Sequence, residues 1–170
     1  MEIYQKIQFH KSCSHYFKEG FEQLLLKRKT NYSQFLNWVI VCELNFSSFR
    51  EIILDVDKGM FAQGNINVQF LFITEDELIP LANYFILKSN YRVTVIKKRD
   101  LSAIVDFLCG KRKKVPGMII TEKEFSVLAL SLKGEKNNKN GLNPKTFFSR
   151  RYSALKKLGL SHFSLLYCFF

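Results

Sequence analysis

Three short apolar runs, separated by segments with helical spacing, constrain the fold of this chain more than any other feature. The runs are WVIVCEL (38–44), VQFLFIT (68–74) and YRVTVIKK (91–98). The first two are continuous rather than alternating, as in strands that are buried on both faces. Helical spacing is found at 14–29, 47–57, 77–89 and 100–110. This alternation predicts an α/β fold in which a parallel sheet is flanked by helices.

The last of these helices has both of its ends marked in the sequence. Asp100 is the predicted N-cap and Gly110 the predicted C-terminal glycine. We predict a single apolar face made of Leu101, Ile104, Val105 and Leu108.

Positive charge is concentrated in the last third of the chain. Residues 1–110 hold 13 Lys+Arg and 12 Asp+Glu, whereas residues 111–170 hold 13 and 3, within a net charge of +11. An excess of this kind indicates an anionic partner, either nucleic acid or a membrane surface. KRKKVPGM (111–118) combines a charge run with a Pro-Gly pair and is the predicted linker. We therefore expect a domain over 1–110 and a small basic domain over 119–170.

The basic third contains the start and stop signals of two helices. Thr121 and Glu124 form a capping-box pattern, and the apolar stripe that follows ends at Gly134. Asn143-Pro144 opens the second helix, which ends at Gly159. A compact, all-α helix–turn–helix is the prediction.

The second of these helices, over 144–158, has two different faces. Phe147, Ala154, Leu155 and Leu158 share the packing side. The opposite side carries Lys145, Ser149, Tyr152, Ser153 and Lys156, flanked by Arg150. Such side chains bind phosphates and base edges. A solvated charged face and a membrane-surface helix are the alternatives.

The sequence contains no motif that is typical of catalysis or of metal binding. The four cysteines form no C-x-x-C pair and share no ligand spacing with the histidines, so we expect reduced, buried thiols and no metal site. Paired catalytic carboxylates and a Gly-rich phosphate loop are also missing, so neither an enzyme nor a cofactor is expected. No apolar stretch approaches the ~20 residues that a membrane span needs, and a cytoplasmic location, at the nucleoid when bound to DNA, is expected.

The two basic segments ITEKEFSVLALSLKG and NPKTFFSRRYSALKKLGL resemble the C-terminal helix–turn–helix of the NarL/LuxR family of bacterial transcription regulators. The match rests on Pro144, Lys145, Thr146, Leu155, Lys157, Leu158, Gly159 and Leu160. The DNA-contacting residues that this resemblance and the helical spacing predict are Lys145, Thr146, Phe148, Ser149, Arg150, Tyr152, Ser153 and Lys156. Between Gly134 and Pro144 the chain is about four residues, or one helical turn, shorter than the family pattern. That segment offers only Leu142 as an apolar support.

The first 110 residues resemble the receiver domain of the same family. SHYFKEGFEQLL is similar to its first helix, and the three apolar runs to its third, fourth and fifth strands. The resemblance places the metal-binding acids at Ser12 and Cys13, the phosphoacceptor at Glu43, the switch hydroxyl at Thr74 and the lysine at Lys97. Serine and cysteine are poor ligands for Mg²⁺, which implies a pseudo-receiver.

Two interpretations of Glu43 are open at this level. A Glu43–Lys97 ion pair would imitate the phosphorylated state, or Glu43 is an exposed residue at a strand end. The resemblance implies a regulator that binds double-stranded DNA without phosphorylation, as a homodimer or as a heterodimer with a related regulator. The alternative is an interaction protein that does not bind DNA and titrates another regulator through its receiver-like domain.

Overall fold

Four parallel strands form the central sheet in the residues that the structure describes. The computed structural model describes residues 7–27, 38–65, 67–108, 117–134 and 141–162. The strands are β1 (Ile7–Phe9), β2 (Trp38–Leu44), β3 (Val68–Thr74) and β4 (Arg92–Lys97), in the spatial order β1-β2-β3-β4. All three pairings are parallel. The predicted α/β architecture, a parallel sheet with flanking helices, is confirmed.

Six α-helices accompany the sheet in the described part of the chain. They are α1 (His15–Lys27), α2 (Phe49–Asp57), α3 (Ile79–Lys88), α4 (Leu101–Leu108), α5 (Glu122–Leu132) and α6 (Pro144–Lys157). A 3₁₀ turn, Asp76–Leu78, leads directly into α3. Pro80 is the second residue of α3, where its missing N–H has no intrahelical partner to lose.

The strands bury side chains on both faces of the sheet. Val39 and Val41 of β2 pack with α1 and α4 on one face, whereas Cys42 and Leu44 pack with α2 and α3 on the other. Because side chains alternate along a strand, the continuous apolar runs provide a core for each face. This outcome agrees with the prediction of doubly buried strands.

Helix α4 presents a different face to the sheet from the one predicted. Asp100 caps it as expected, since its Oδ1 accepts the N–H of Ala103 at 2.9 Å. Among the side chains that the structure describes, however, the buried ones are Ala103, Ile104 and Phe107, and Leu101 is 61% exposed. The side chain of Leu108 lies outside the described residues. The prediction of Leu101 as a core residue is therefore wrong. Phe107 is the largest apolar side chain of the helix, and burying its ring turns the contact face by about one residue step, roughly 100°.

One apolar core joins the sheet to the two C-terminal helices. Phe72 and Phe85 belong to the same buried cluster as Phe125, Leu128 and Leu155. Two hydrogen bonds reinforce this contact, from the Ile120 N–H to the Pro80 carbonyl at 3.0 Å and from Asn83 Nδ2 to the Met118 carbonyl at 3.3 Å.

The predicted division into 1–110 and 119–170 stays a prediction. Most of the linker 111–118, together with Gly110, lies outside the described residues. Within the described part of the chain, α5 and α6 share the core of the sheet and have no separate one.

Candidate nucleic-acid interface

Helix α6 begins and ends on residues that satisfy its terminal backbone groups. Asn143 Oδ1 accepts the Lys145 N–H at 2.9 Å, and Pro144 follows at the first helical position. At the other end, Gly159 has a φ of 68°, which allows the Leu160 N–H to reach the Leu155 carbonyl at 2.9 Å. These ends agree with the sequence prediction and fix the length of the helix.

The inner face of α6 is apolar and packs against α5. Phe147, Ala154, Leu155 and Leu158 are all buried, with exposed fractions of 4% or less. These four residues are the predicted packing face, and the prediction is confirmed. Because these four side chains are buried in the core, they cannot contact any other partner.

The outward side of α6 carries what we call the outer stripe. It consists of Lys145, Phe148, Ser149, Tyr152 and Lys156, all exposed. Their spacing of three and four residues places them on one side of the helix. Phe148 is 52% and Tyr152 63% exposed, which is unusual for such large side chains. Residues 141–162 include five Lys or Arg and no Asp or Glu.

Three other predicted DNA-contacting residues lie beside this stripe. Thr146 and Arg150 are half-buried at its border. Ser153 is different, because its hydroxyl donates a 2.6 Å hydrogen bond to Glu124 Oε1 on α5. The prediction that Ser153 faces outward is wrong: a buried carboxylate, which attracts hydroxyl donors, turns it inward.

Glu124 is the polar centre of the contact between α5 and α6. Its carboxylate accepts hydrogen bonds from the Thr121 N–H (2.8 Å) and hydroxyl (3.0 Å), from Ser153 and from Lys157 Nζ (2.8 Å), and the residue is only 6% exposed. Burial alone would raise the pKa of Glu124, but the bonds from Lys157, Ser153 and Thr121 outweigh it and lower the pKa to about 2. The sequence revealed the capping box and missed the bonds to α6.

A second polar group lies at the carboxyl edge of the sheet, around Glu43. Glu43 is 2% exposed, which excludes the exposed strand-end interpretation. Its Oε1 is 2.9 Å from Lys98 Nζ, and its Oε2 accepts the Ser14 N–H at 2.9 Å. Burial raises the pKa of Glu43, and the bonds from Ser14 and Lys98 more than reverse this, so the pKa is lowered overall.

The predicted Glu43–Lys97 pair is not formed. Lys97 is next to Thr74 in the register and its Nζ is 3.8 Å from Asp76. Glu43 is next to Ile73, whose side chain packs with α1 and α4. Successive side chains alternate across a sheet, so Glu43 and Lys98 share one face and Lys97 points to the other.

The remaining predicted pocket residues have local partners. Thr74 Oγ1 donates to the Glu75 carbonyl at 3.0 Å, and Ser12 Oγ is 2.9 Å from His10 Nδ1. Cys13 Sγ donates to the Val41 carbonyl at 3.2 Å and accepts the Glu43 N–H at 3.2 Å.

Burial raises the pKa of the Cys13 thiol to about 11, so the thiol stays protonated at neutral pH. The five predicted pocket residues therefore do not converge on one open site. No group of three or more His, Cys, Asp or Glu that could hold a metal ion is found among the described residues.

Fold and surface together define an α/β protein in which α6, the last described helix, exposes basic and aromatic side chains. No helix within the described ranges is long and apolar enough to cross a membrane. Comparisons with protein-family models, with curated proteins and with solved structures find no match. A functional assignment therefore rests on the residues of this chain alone.

Proposed function

We propose that this chain is a DNA-binding transcription regulator of the kind that the NarL/LuxR resemblance implies, acting without phosphorylation as a homodimer or with a related regulator. The observation that carries the proposal is the outer stripe, in which Lys145 and Lys156 bracket exposed aromatic and hydroxyl side chains. Cationic side chains bind the phosphates that dominate affinity for duplex DNA. Hydroxyl and aromatic groups are suited to contacts with base edges.

Two alternatives for the outer stripe fit less well. A merely solvated charged face needs no large aromatic side chains, yet Phe148 and Tyr152 are both more than half exposed. A helix lying on a membrane needs a free apolar face. On α6 that face is occupied by the core, including Phe147, Leu155 and Leu158.

The carboxyl edge of the sheet supports independence from phosphorylation. The Glu43 carboxylate is buried and already paired with Lys98. Ser12 and Cys13 stand where Mg²⁺ would need acidic ligands, and Cys13 is occupied by hydrogen bonds to the strand. A buried, paired carboxylate, with no metal-binding cluster among the described residues, is poorly suited to taking up a phosphoryl group.

The test measures binding of the full chain to a 30-bp duplex of random sequence by fluorescence anisotropy at several salt concentrations. Kd is expected to rise steeply with salt, with a log–log slope of about 0.9 for each phosphate contacted. Lys145→Ala and Lys156→Ala should each weaken binding and reduce that slope by about 1. Lys58→Ala removes an exposed lysine at the end of α2 and should change neither. Absent or salt-insensitive binding, alone and with candidate partner regulators, refutes the proposal.

A second candidate function is that of an interaction protein that titrates another regulator. Leu87 of α3 is 74% exposed and Leu101 of α4 61% exposed. Their helices are on opposite faces of the sheet and both contact β4, the last strand in the described sheet. Apolar side chains of this exposure are suited to a protein partner.

A double substitution distinguishes the two functions. Lys145→Ala/Arg150→Ala should abolish DNA affinity while leaving α3 and α4 unchanged. Loss of regulation in a reporter assay supports DNA binding as the function. Regulation that persists without DNA affinity supports titration.

A further inference from the structure

Phe148 and Tyr152 form an aromatic pair at the centre of the outer stripe. They are four residues apart and thus lie on one side of α6, separated by one helical turn. Lys145 and Lys156 extend the stripe beyond the pair at either end. A partner that covers this surface must be apolar at its centre and negative at its margins.

The ring of Phe148 is held in place by its neighbours. The Arg151 guanidinium is 4.8 Å from the ring centroid, and the buried ring of Phe147 meets it edge-on, with centroids 6.0 Å apart and an interplanar angle of 86°. One face of the ring is therefore covered by a cation. A base cannot stack on that covered face, whereas the remaining exposed ring surface is free for a small apolar group.

A second copy of the chain is a poor occupant of this surface. If two outer stripes faced one another, the lysines of both copies would be brought together, and like charges across an interface are repulsive. The absence of acidic residues from 141–162 leaves nothing on α6 to neutralise them. Charge complementarity thus favours an anionic polymer over self-association through α6.

Duplex DNA offers the required combination of chemistry in its major groove. Phosphates line the walls of the groove, and the 5-methyl group of thymine is an apolar feature of its floor that phenylalanine contacts. Four residues of helix advance about 6 Å, close to two base steps of about 3.4 Å each. The aromatic pair is therefore long enough to meet thymines about two positions apart.

We propose that Phe148 and Tyr152 are specificity-determining residues that contact thymine 5-methyl groups in the major groove. This inference rests on the proposed function, because it requires that α6 enters duplex DNA. It adds a particular preference, for thymine over any base that lacks the methyl group.

The experiment compares two duplex polymers that differ only in the methyl group, alternating poly(dA–dT) and alternating poly(dA–dU). The full-length chain is expected to bind the thymine polymer about sixteenfold more tightly, since each of the two buried methyl groups contributes about a fourfold gain. Phe148→Ala/Tyr152→Ala should bind both polymers equally, at the affinity of the unsubstituted chain for poly(dA–dU). Lys145→Ala, the matched control, should weaken both and keep their ratio.

Each other result has a distinct meaning. Equal affinity of the unsubstituted chain for both polymers overturns the methyl contact and leaves the proposed function standing. Binding to neither polymer at low salt overturns both. Tighter binding to single-stranded poly(dT) than to either duplex overturns the inference in favour of base stacking. The polymer comparison needs no substitution, so the test holds even where a variant fails to fold.

Discussion

Replacing Glu124 with Gln is expected to loosen the contact between α5 and α6. The carboxylate accepts hydrogen bonds from Thr121, Ser153 and Lys157, and every one of these partners can donate to it. A glutamine side chain has almost the same shape, but one of its two oxygens becomes an NH₂ group. An NH₂ group cannot accept, so the Ser153 hydroxyl must turn from donor to acceptor to bond with it, and the Lys157 ammonium loses its counter-charge.

The magnitude follows from the pKa of Glu124. A fall from the usual value of 4.5 to about 2 corresponds to about 3 kcal/mol of stability at neutral pH. Because the folded-state pKa is lowered, this stability is fully present above about pH 4.5 and is lost as the pH falls towards 2. Within that window the contribution of Glu124 decreases by about 1.4 kcal/mol per pH unit.

The assay is urea unfolding, followed by circular dichroism at 222 nm and by the fluorescence of Trp38, between pH 7 and pH 3.5. Glu122→Gln is the matched control, since Glu122 lies in the same first turn of α5 and is ion-paired with Lys88 on the surface, with its side chain 63% exposed. We expect Glu124→Gln to cost about 3 kcal/mol at pH 7 and Glu122→Gln less than about 1 kcal/mol.

Two results would refute this reasoning. The first is an equal loss of stability in the two variants, which would mean that the contact with α6 adds nothing to the effect of charge at a helix start. The second is a difference between the unsubstituted chain and Glu124→Gln that stays constant from pH 5 to pH 3.5. That constancy would show that the carboxylate has an ordinary pKa in the folded chain.

Three further predictions concern other parts of the fold. Lys98→Ala leaves the buried Glu43 carboxylate without its cation and should lower the free energy of unfolding by about 1–2 kcal/mol in urea titrations. The Cys13 thiol, with a pKa of about 11, should react with iodoacetamide at pH 8 roughly a hundredfold more slowly in the native chain than in urea, as followed by mass spectrometry. Gly159→Ala forces an L-residue to a φ of 68° and should lower stability by about 1 kcal/mol, whereas Gly20→Ala within α1, where nothing lies near the added methyl group, should raise it by a similar amount.

The sequence predicted helix ends and doubly buried strands well because both depend on neighbouring residues. The cap of α6 involves two residues only two positions apart, Asn143 and Lys145. The continuous apolar runs indicate directly that a strand is covered on both faces. Strand β1 was not marked by any apolar run, because it has only three described residues and none of them is fully buried. The predicted face of α4 is wrong because one ring, that of Phe107, outweighs several aliphatic side chains.

The errors at the candidate sites have a different origin, since they concern partners that are distant in the chain. Ser153 has the helical position of an outward residue, but its partner Glu124 lies 29 residues away. Lys97 and Lys98 are adjacent, and only the alternation of side chains across the folded sheet decides which of them reaches Glu43. The spacing of residues in the sequence predicts on which face of a helix or strand a side chain lies. It does not reveal which residue of another element lies opposite that side chain.

The shared core explains how α6 is supported although the segment before it is about one turn shorter than in the helix–turn–helix that the sequence resembles. Leu142, the apolar residue which that segment offers, is only half-buried, so it contributes little support. The apolar side of α6 instead packs on α5, and the rings of Tyr84 and Phe125 stack with centroids 4.6 Å apart where α5 meets α3. The helices that pack on the sheet thus support α6, in place of a separate scaffold helix. It follows that the orientation of the outer stripe is set by the α2 and α3 face of the sheet, and that any change which loosens that face also moves the surface proposed to enter DNA.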